Sequence, residues 1–489
     1  MKANESCHFI CLCILAHEKD SSQGGHMNNS SFLDRVFHLA ENGTTVKTEI
    51  LAGITTFMTM AYILAVNPII MGSIGMDKGA VLTATCIASF IGTLLMAGLA
   101  NYPFALAPGM GLNAFFAYTV VMSMGYTWEM ALSAVFVEGI IFIALTLTNI
   151  REALFNAIPM NLKKAVSAGI GLFICFIGLG SAHLVVASKA TKIALFSFKQ
   201  AAESGTFYTT GTPVVIAVLG IFLTAFFMIK NIRGNILWGI LSTWILGMIA
   251  EATGFYIPDP SVGAFSTFPQ FHGLASFLPQ SIAPVFMKID FSKIGSLDFF
   301  AVLFAFLFVD IFDTLGTLVG VSHKAGLLDK EGKLPRIKPA LLSDAIATSV
   351  GAILGVSTTT TYVESAAGVG EGGRTGLTAV TVAVLFLISL FFSPIFLAIP
   401  AFATAPALII VGFLMFTSVA TTEFGDLTEA IPAYITIIAM PFFYSISEGI
   451  SMGIISYVVL NLMAGHREKI SPLMAVLAVV FVAKYFFIG

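Results

Sequence analysis

Two carboxylates lie inside two of the most apolar stretches of the chain, each beside residues that break helices. Asp313 sits in Phe-Val-Asp310-Ile-Phe-Asp313-Thr314-Leu-Gly316-Thr317, and Glu364 in Ser357-Thr-Thr-Thr-Thr361-Tyr362-Val-Glu364-Ser365-Ala-Ala-Gly368. A charge at membrane depth costs several kcal/mol, so it is kept where it has work to do. Glycine- and hydroxyl-rich backbone at that depth survives only where protein buries it or where it lines a cavity. Together these features predict a transporter holding a polar ligand near the bilayer midplane.

The other candidates are weighed against plainer roles. Asp310 lies one turn before Asp313, on the same helix face. Two carboxylates that close favour holding one proton between them, although Asp310 could equally face a polar crevice. Around Glu364, the threonines and tyrosine suit extended backbone, and Ala366, Ala367 and Gly368 suit a tight helix start. A short strand running into a half-helix is expected, its N–H groups open to electronegative ligand atoms. A second broken segment, Ala107-Pro108-Gly109-Met-Gly111-Leu-Asn113, lies in the first half. Asn113 offers one amide, donor and acceptor, and could serve a ligand or merely cap a helix. Phe115 and Phe116 could stack on a planar ligand, yet the chain has 45 Phe to choose from. Glu138 and Glu448 lack a nearby helix break and read as structural or interfacial. His323, beside Lys324, reads as a solvated helix end.

The elements that must position these groups follow from composition. The chain has 489 residues, 57% hydrophobic and 10% charged, with a mean hydropathy of +0.93. Soluble domains carry about 25% charged residues, so the bilayer is the solvent here. A net charge of -3 points to no nucleic-acid partner. The cysteines show neither a disulfide framework nor metal-ligand spacing. Phosphate-binding loops and nucleophile elbows are missing too, so no enzyme, cofactor or metal is expected. An intramembrane aspartyl protease needs its dyad on two facing segments, whereas Asp310 and Asp313 share one helix turn. Without a nucleotide-binding domain, transport would run on an ion gradient.

Apolar runs of helical length fall at roughly 50–72, 79–99, 104–123, 128–148, 165–184, 212–230 and 234–253. After a proline-rich polar loop they resume at 298–321, 340–356, a broken piece 358–370, 375–397, 402–420, 428–445, 447–464 and 471–488. Pro441 is expected to break one run, and whether 428–445 crosses the membrane or forms a half-helix is left open. The side of His466, Arg467 and Lys469 depends on that count. Basic residues cluster in the loops at Arg35 and Lys47, at Arg151, Lys163 and Lys164, at Lys230 and Arg233, at Lys324 to Lys338, and at Arg374. With alternating helices these share one face, which places it and the N-terminus in the cytoplasm. Lys189, Lys192 and Lys199 fall on the other face. Ile158-Pro159 leads by twelve residues to Gly171, as Ile399-Pro400 leads to Gly412. This faint repeat and the paired broken segments suggest an inverted duplication. Residues 1–26 carry an apolar run too short to span. The codons for Gln23 to His26 can contain AGGAGG ahead of an ATG, so Met27 is expected to be the start and 1–26 a misread leader.

At this point the residues resemble a known family. Thr45-Val-Lys47-Thr-Glu49-Ile-Leu-Ala-Gly53 through Asn67-Pro68 is similar to the opening of the AzgA-like purine permeases, a branch of the nucleobase–cation symporter 2 group. Ala105 to Tyr118, Asp313 to Gly320 and Glu364 to Thr378 are similar to their third, eighth and tenth segments, and the resemblance runs from about residue 33 to the end. It implies an all-α polytopic membrane protein of about fourteen segments in two inverted repeats of about seven. Segments three and ten would carry short extended stretches. Residues 1–49 would be a cytoplasmic tail, 50–148 and 298–397 the two halves of a core domain, and 149–297 and 398–489 the two halves of a gate domain.

The implied function is import of hypoxanthine or guanine by proton symport across the inner membrane. An adenine permease of the same family is the alternative, and an anion carrier or channel is less favoured because neither broken segment holds a basic residue. Asp313 and Glu364 would bind the base, with Asn113, Thr317, Thr361 and Phe115 around it. Proton coupling would fall to Asp313, Glu364 or Asp310. Thr317 stands where some uracil carriers have histidine, which argues against a uracil-type contact set. Substrate, protons and membrane lipid are the expected partners, and analogy allows a homodimer.

Overall fold

The computed structural model describes residues 32–148, 158–259, 264–269, 277–327 and 334–487. The proposed leader, and Arg151, Lys330 and Lys333 of the charged loops, lie outside these residues, as do the side chains of His323 and Lys324.

Helices dominate because the bilayer leaves the backbone no other way to satisfy its polar groups locally. Ten described helices are long and apolar enough to cross a membrane. Three shorter apolar helices, Met110–Ser123, Leu427–Phe442 and Pro472–Ala483, join them, with the apolar stretch Val302–Ile311. The first half comprises α1 (Val46–Met60), α2 (Ile63–Gly72), α3 (Lys78–Leu95), β1 (Leu106–Pro108), α4 (Met110–Ala114), α5 (Trp128–Leu147), α6 (Met160–Ser181), α7 (Thr212–Ile229) and α8 (Asn235–Ala252). An antiparallel hairpin, β2 (Val185–Ser188) with β3 (Lys192–Leu195), lies between α6 and α7. The second half comprises α9 (Leu297–Ala325), α10 (Ile337–Leu354), β4 (Thr359–Thr361), α11 (Ser365–Gly370), α12 (Gly376–Ser389), α13 (Ser393–Ala398), α14 (Ala401–Phe416), α15 (Leu427–Phe442), α16 (Ile446–Met463) and α17 (Pro472–Phe487).

Helix starts follow local chemistry. Thr45, Asp77, Thr127 and Ser445 each accept a backbone N–H from the first turn, replacing bonds a helix end cannot make for itself. The site-bearing pair is β1 and β4, antiparallel, with Leu106 opposite Thr361, Ala107 opposite Thr360 and Pro108 opposite Thr359. Each strand is only three residues long and leads into a short helix.

Helices α6 and α14 cross at Gly171 and Gly412. A Cβ on Gly171 would lie 2.5 Å from the Gly412 carbonyl and 2.7 Å from the Phe416 nitrogen. One on Gly412 would lie 2.5 Å from the Gly171 carbonyl and 2.8 Å from the Cys175 nitrogen. Each glycine thus meets its counterpart and the residue one turn beyond it, a locally two-fold relation. Helix α7 packs on α14 as α15 packs on α6.

The C-terminal helices pack against one another in sequence order. Pro441 does not interrupt α15; it falls in the last turn, so the N–H it lacks removes one bond near the helix end and leaves the body of the helix intact. Helices α15 and α16 form a tight antiparallel hairpin, with Gly453 facing Thr436 and the Asn461 amide donating to the Thr428 carbonyl at 3.3 Å. Lys469 pairs with Asp426 at 2.6 Å and with Glu429 at 3.6 Å, so the charges after α16 share an end with the start of α15. Helix α17 then returns alongside α16 and sets Phe481 against Phe304 and Phe308.

Candidate functional site

The two short strands bring the two broken segments, around Pro108 and around Thr360, together. Gly109 N–H donates to the Thr358 carbonyl at 3.0 Å, and Tyr362 N–H donates to the Ala105 carbonyl at 2.9 Å, extending the ladder at both ends. Ser357 donates to Asn113 Oδ1 in a short contact, and the Asn113 amide reaches the Pro108 carbonyl at 3.4 Å. Asn113 is fully buried, and its side chain ties one broken segment to the other. Phe115 is buried edge-on against Phe306, with a ring separation of 4.9 Å.

Carboxylates hold β4 from three helices. Asp344 of α10 accepts from Thr361 N–H at 3.1 Å and from the Thr361 hydroxyl at 3.4 Å. The Thr314 hydroxyl on α9 is hydrogen-bonded to Asp310 at 2.8 Å, Asp344 at 3.0 Å and the Thr360 hydroxyl at 2.7 Å. Thr358 donates to Glu138 of α5 at 2.7 Å. Asp310, Thr314, Asp344 and Glu138 are all 0% exposed. Buried polar groups at this depth must be paired, and here the pairing fixes β4. Thr361 spends its polar groups on Asp344, and Asp310 spends an oxygen on Thr314.

Asp313 and Glu364 differ from these. Both are half-buried rather than sealed. Asp313 has no hydrogen-bond partner among the described residues, although it lies within electrostatic range of Asp344 and Glu364. Its Oδ2 faces Gly109: a Cβ built there would come within 3.4 Å of it and 2.7 Å from Thr360 Cγ2. Glycine here therefore lets the start of α4 lie close against Thr360 of β4, with Asp313 in ordinary contact beside it. Glu364 receives one side-chain bond, from the Tyr62 hydroxyl to Oε1 at 2.7 Å. Thr317 is half-buried one turn beyond Asp313.

The structure corrects one expectation. The first N–H groups of α11 are not open to a ligand: Ser365, Ala366 and Ala367 donate to the Tyr362, Val363 and Glu364 carbonyls at 3.1, 3.0 and 2.9 Å. These i-to-i+3 bonds tighten the half-helix start and consume its donors. Polar recognition thus falls to side chains.

Sequence reasoning passed over Asp344, Tyr62 and Glu49. Asp344 carried a usable signal, an acid within the apolar run 340–356. Glu138, expected to be structural or interfacial, is buried and accepts from Thr358 beside β4.

Residues 47–483 match the permease family of xanthine and uracil carriers. The chain is 44% identical over 460 residues to the guanine/hypoxanthine permease PbuO of Bacillus subtilis, covering 92% of this chain and 100% of that one. It is 40% identical over 475 residues to the adenine permease AdeP of Escherichia coli, covering 97% and 99%. Among solved structures, the transmembrane domain of a cyanobacterial bicarbonate transporter, BicA, shares the fold at TM-score 0.59 and 15% identity, over 83% of this chain and 97% of that domain. The fold and the family define a transmembrane transporter, not an enzyme. The chain belongs to the xanthine/uracil permease family.

Proposed function

We propose that the protein imports purine nucleobases, hypoxanthine and guanine, by proton symport, binding the base between the third, eighth and tenth segments. One observation carries this reading: among the carboxylates around β1 and β4, Asp313 and Glu364 keep oxygens that no described residue occupies, and both residues are half-buried rather than sealed. A purine presents ring N–H donors, which carboxylates accept as charge-assisted bonds. Two carboxylates also offer a place for the coupling proton, held by Asp313, Glu364 or the pair as a unit. In this reading Asn113, Thr361 and Phe115 lie buried behind the bound base and Thr317 beside Asp313.

The same reading includes about fourteen segments in two inverted repeats, a core domain carrying both short strands, and a gate domain around the α6–α14 crossing that moves against it in alternating access. It places the protein in the inner membrane with its N-terminus in the cytoplasm. An adenine permease is the second reading, supported by the 40% identity to AdeP. The likeness to a bicarbonate transporter extends to fold alone, and a site lined by two carboxylates does not suit an anion.

The test is proton-gradient-driven uptake of labelled hypoxanthine, guanine, adenine and uracil into proteoliposomes. Uptake of one or two purines that a protonophore abolishes supports the proposal. Folded protein that moves no purine under any gradient overturns it.

A further inference from the structure

Glu364 is held from an unexpected direction. It stands at the N-cap position of α11 yet makes no capping bond to its own helix. Its carboxylate is instead engaged by Tyr62, at the junction where α1 ends and α2 begins. The Thr59 hydroxyl, one turn earlier, lies 3.4 Å from the Glu364 main-chain carbonyl but donates more closely to the Thr56 carbonyl of its own helix at 2.8 Å, so the Tyr62 bond is the main one. Tyr62 is 1% exposed and packed in the main hydrophobic core, so its ring has little freedom. A glutamate side chain has three rotatable bonds and loses considerable entropy when ordered. A tyrosine with two torsions, locked by packing, orders it cheaply.

We propose that Tyr62 is the positioning residue for Glu364: its hydroxyl pins Oε1 and so orients the carboxylate, leaving Oε2 for the ligand. This rests on the purine-binding reading above and adds to it a residue on the first segment that sets affinity without touching the base. Pre-ordering a ligand-binding group strengthens binding by removing the cost of ordering it later. A plainer role exists, since a buried tyrosine hydroxyl usually finds a partner for its own sake. The two roles separate in a binding cycle, because a merely structural bond would not couple to what Glu364 does with ligand.

The experiment measures equilibrium binding and uptake of the purine that the wild type carries, on purified full-length protein in proteoliposomes. It compares wild type, Tyr62→Phe, Glu364→Gln and the double variant. The expected result is KM and Kd raised about tenfold by Tyr62→Phe, with maximal velocity held within about threefold, since only a ground-state contact is loosened. In the Glu364→Gln background the same change has little further effect, giving strong non-additivity. Tyr62→His, which keeps a ring N–H donor, recovers part of the affinity. If Tyr62→Phe does not fold, the cycle is run with Tyr62→His in its place, and non-additivity with Glu364→Gln again decides. Unchanged KM in Tyr62→Phe, or equal losses in both Glu364 backgrounds, overturns the role of Tyr62 while leaving purine transport intact. A wild type inert toward every purine overturns the transport reading and this proposal with it.

Discussion

Glu49 and the Asp313–Glu364 pair use carboxylates for opposite purposes. Glu49, on the first turn of α1, is 0% exposed. Its Oε1 accepts from Arg374 N–H at 2.8 Å. Its Oε2 accepts from Thr375 and Thr378 N–H at 3.3 and 3.1 Å and from the Thr378 hydroxyl at 2.6 Å. The carboxylate thereby supplies the bonds that the start of α12 cannot make internally. Asp313 accepts nothing from the described residues, and Glu364 accepts one bond. The chain completes the first carboxylate and leaves the other two unfinished. A buried acid whose lone pairs are filled by its own protein is architecture; one held in place with oxygens to spare is available to a ligand.

Substitutions can break that contrast. Glu49→Ala strands several buried donors at once and is expected to cost about 3 kcal/mol or more of stability. It would be seen as a large loss of folded protein in a thermal-melt assay, with uptake per folded molecule little changed. A melt indistinguishable from wild type would erase the distinction. Asp313→Asn and Glu364→Gln should do the reverse. Each is expected to lower purine uptake by about 10- to 100-fold, the worth of one charge-assisted bond, while the melting temperature stays the same or rises. Loss of folding in both, with no specific loss of uptake, would reassign them to architecture.

Smaller effects sharpen the comparison at the surface. Asp426, exposed ahead of α15, has its carboxyl held well below the usual range by the Lys469 and Thr428 bonds. A depressed carboxyl contributes stability above its unfolded pKa of about 3.9 and loses it as pH falls further. The melting temperature of wild type should therefore drop slightly more than that of Asp426→Asn when pH is lowered from about 5 toward 3. The smallest change is expected from the Arg233–Glu371 pair, which joins the α7–α8 loop to the end of α11 at 2.6 Å but leaves Arg233 60% exposed. Exposed pairs are worth about 0 to 1 kcal/mol, so Arg233→Gln should alter uptake by less than about threefold. A larger effect would mark this contact as part of the transport cycle.

Legibility in the sequence followed the range of each interaction. Asp313 and Glu364 stood out because an acid among apolar residues is a local anomaly, visible in a ten-residue window. The strand-to-half-helix shape of 359–370 was readable for the same reason, through the run of threonines and the small residues after it. Asp344 could have been flagged by that rule. Tyr62 could not, because its partner is 302 residues away and nothing near it is unusual. The open donors expected at the start of α11 failed because the choice between i-to-i+3 and i-to-i+4 bonding is made by the packed turn, not by composition.

By itself, then, the sequence determined the solvent, the helical class, the family and the positions where a charge would be expensive, since each depends on local composition and periodicity. The tertiary structure alone decided which of those charges were completed. Thr314 meets Asp344 across 30 residues and Thr360 across 46, and Glu49 meets Thr378 across 329. A hydrogen bond needs heavy atoms within about 3 Å and aligned. Only packing of the broken segments brings such distant groups that close, and only after packing does it emerge that Asp313 and Glu364 have oxygens left over.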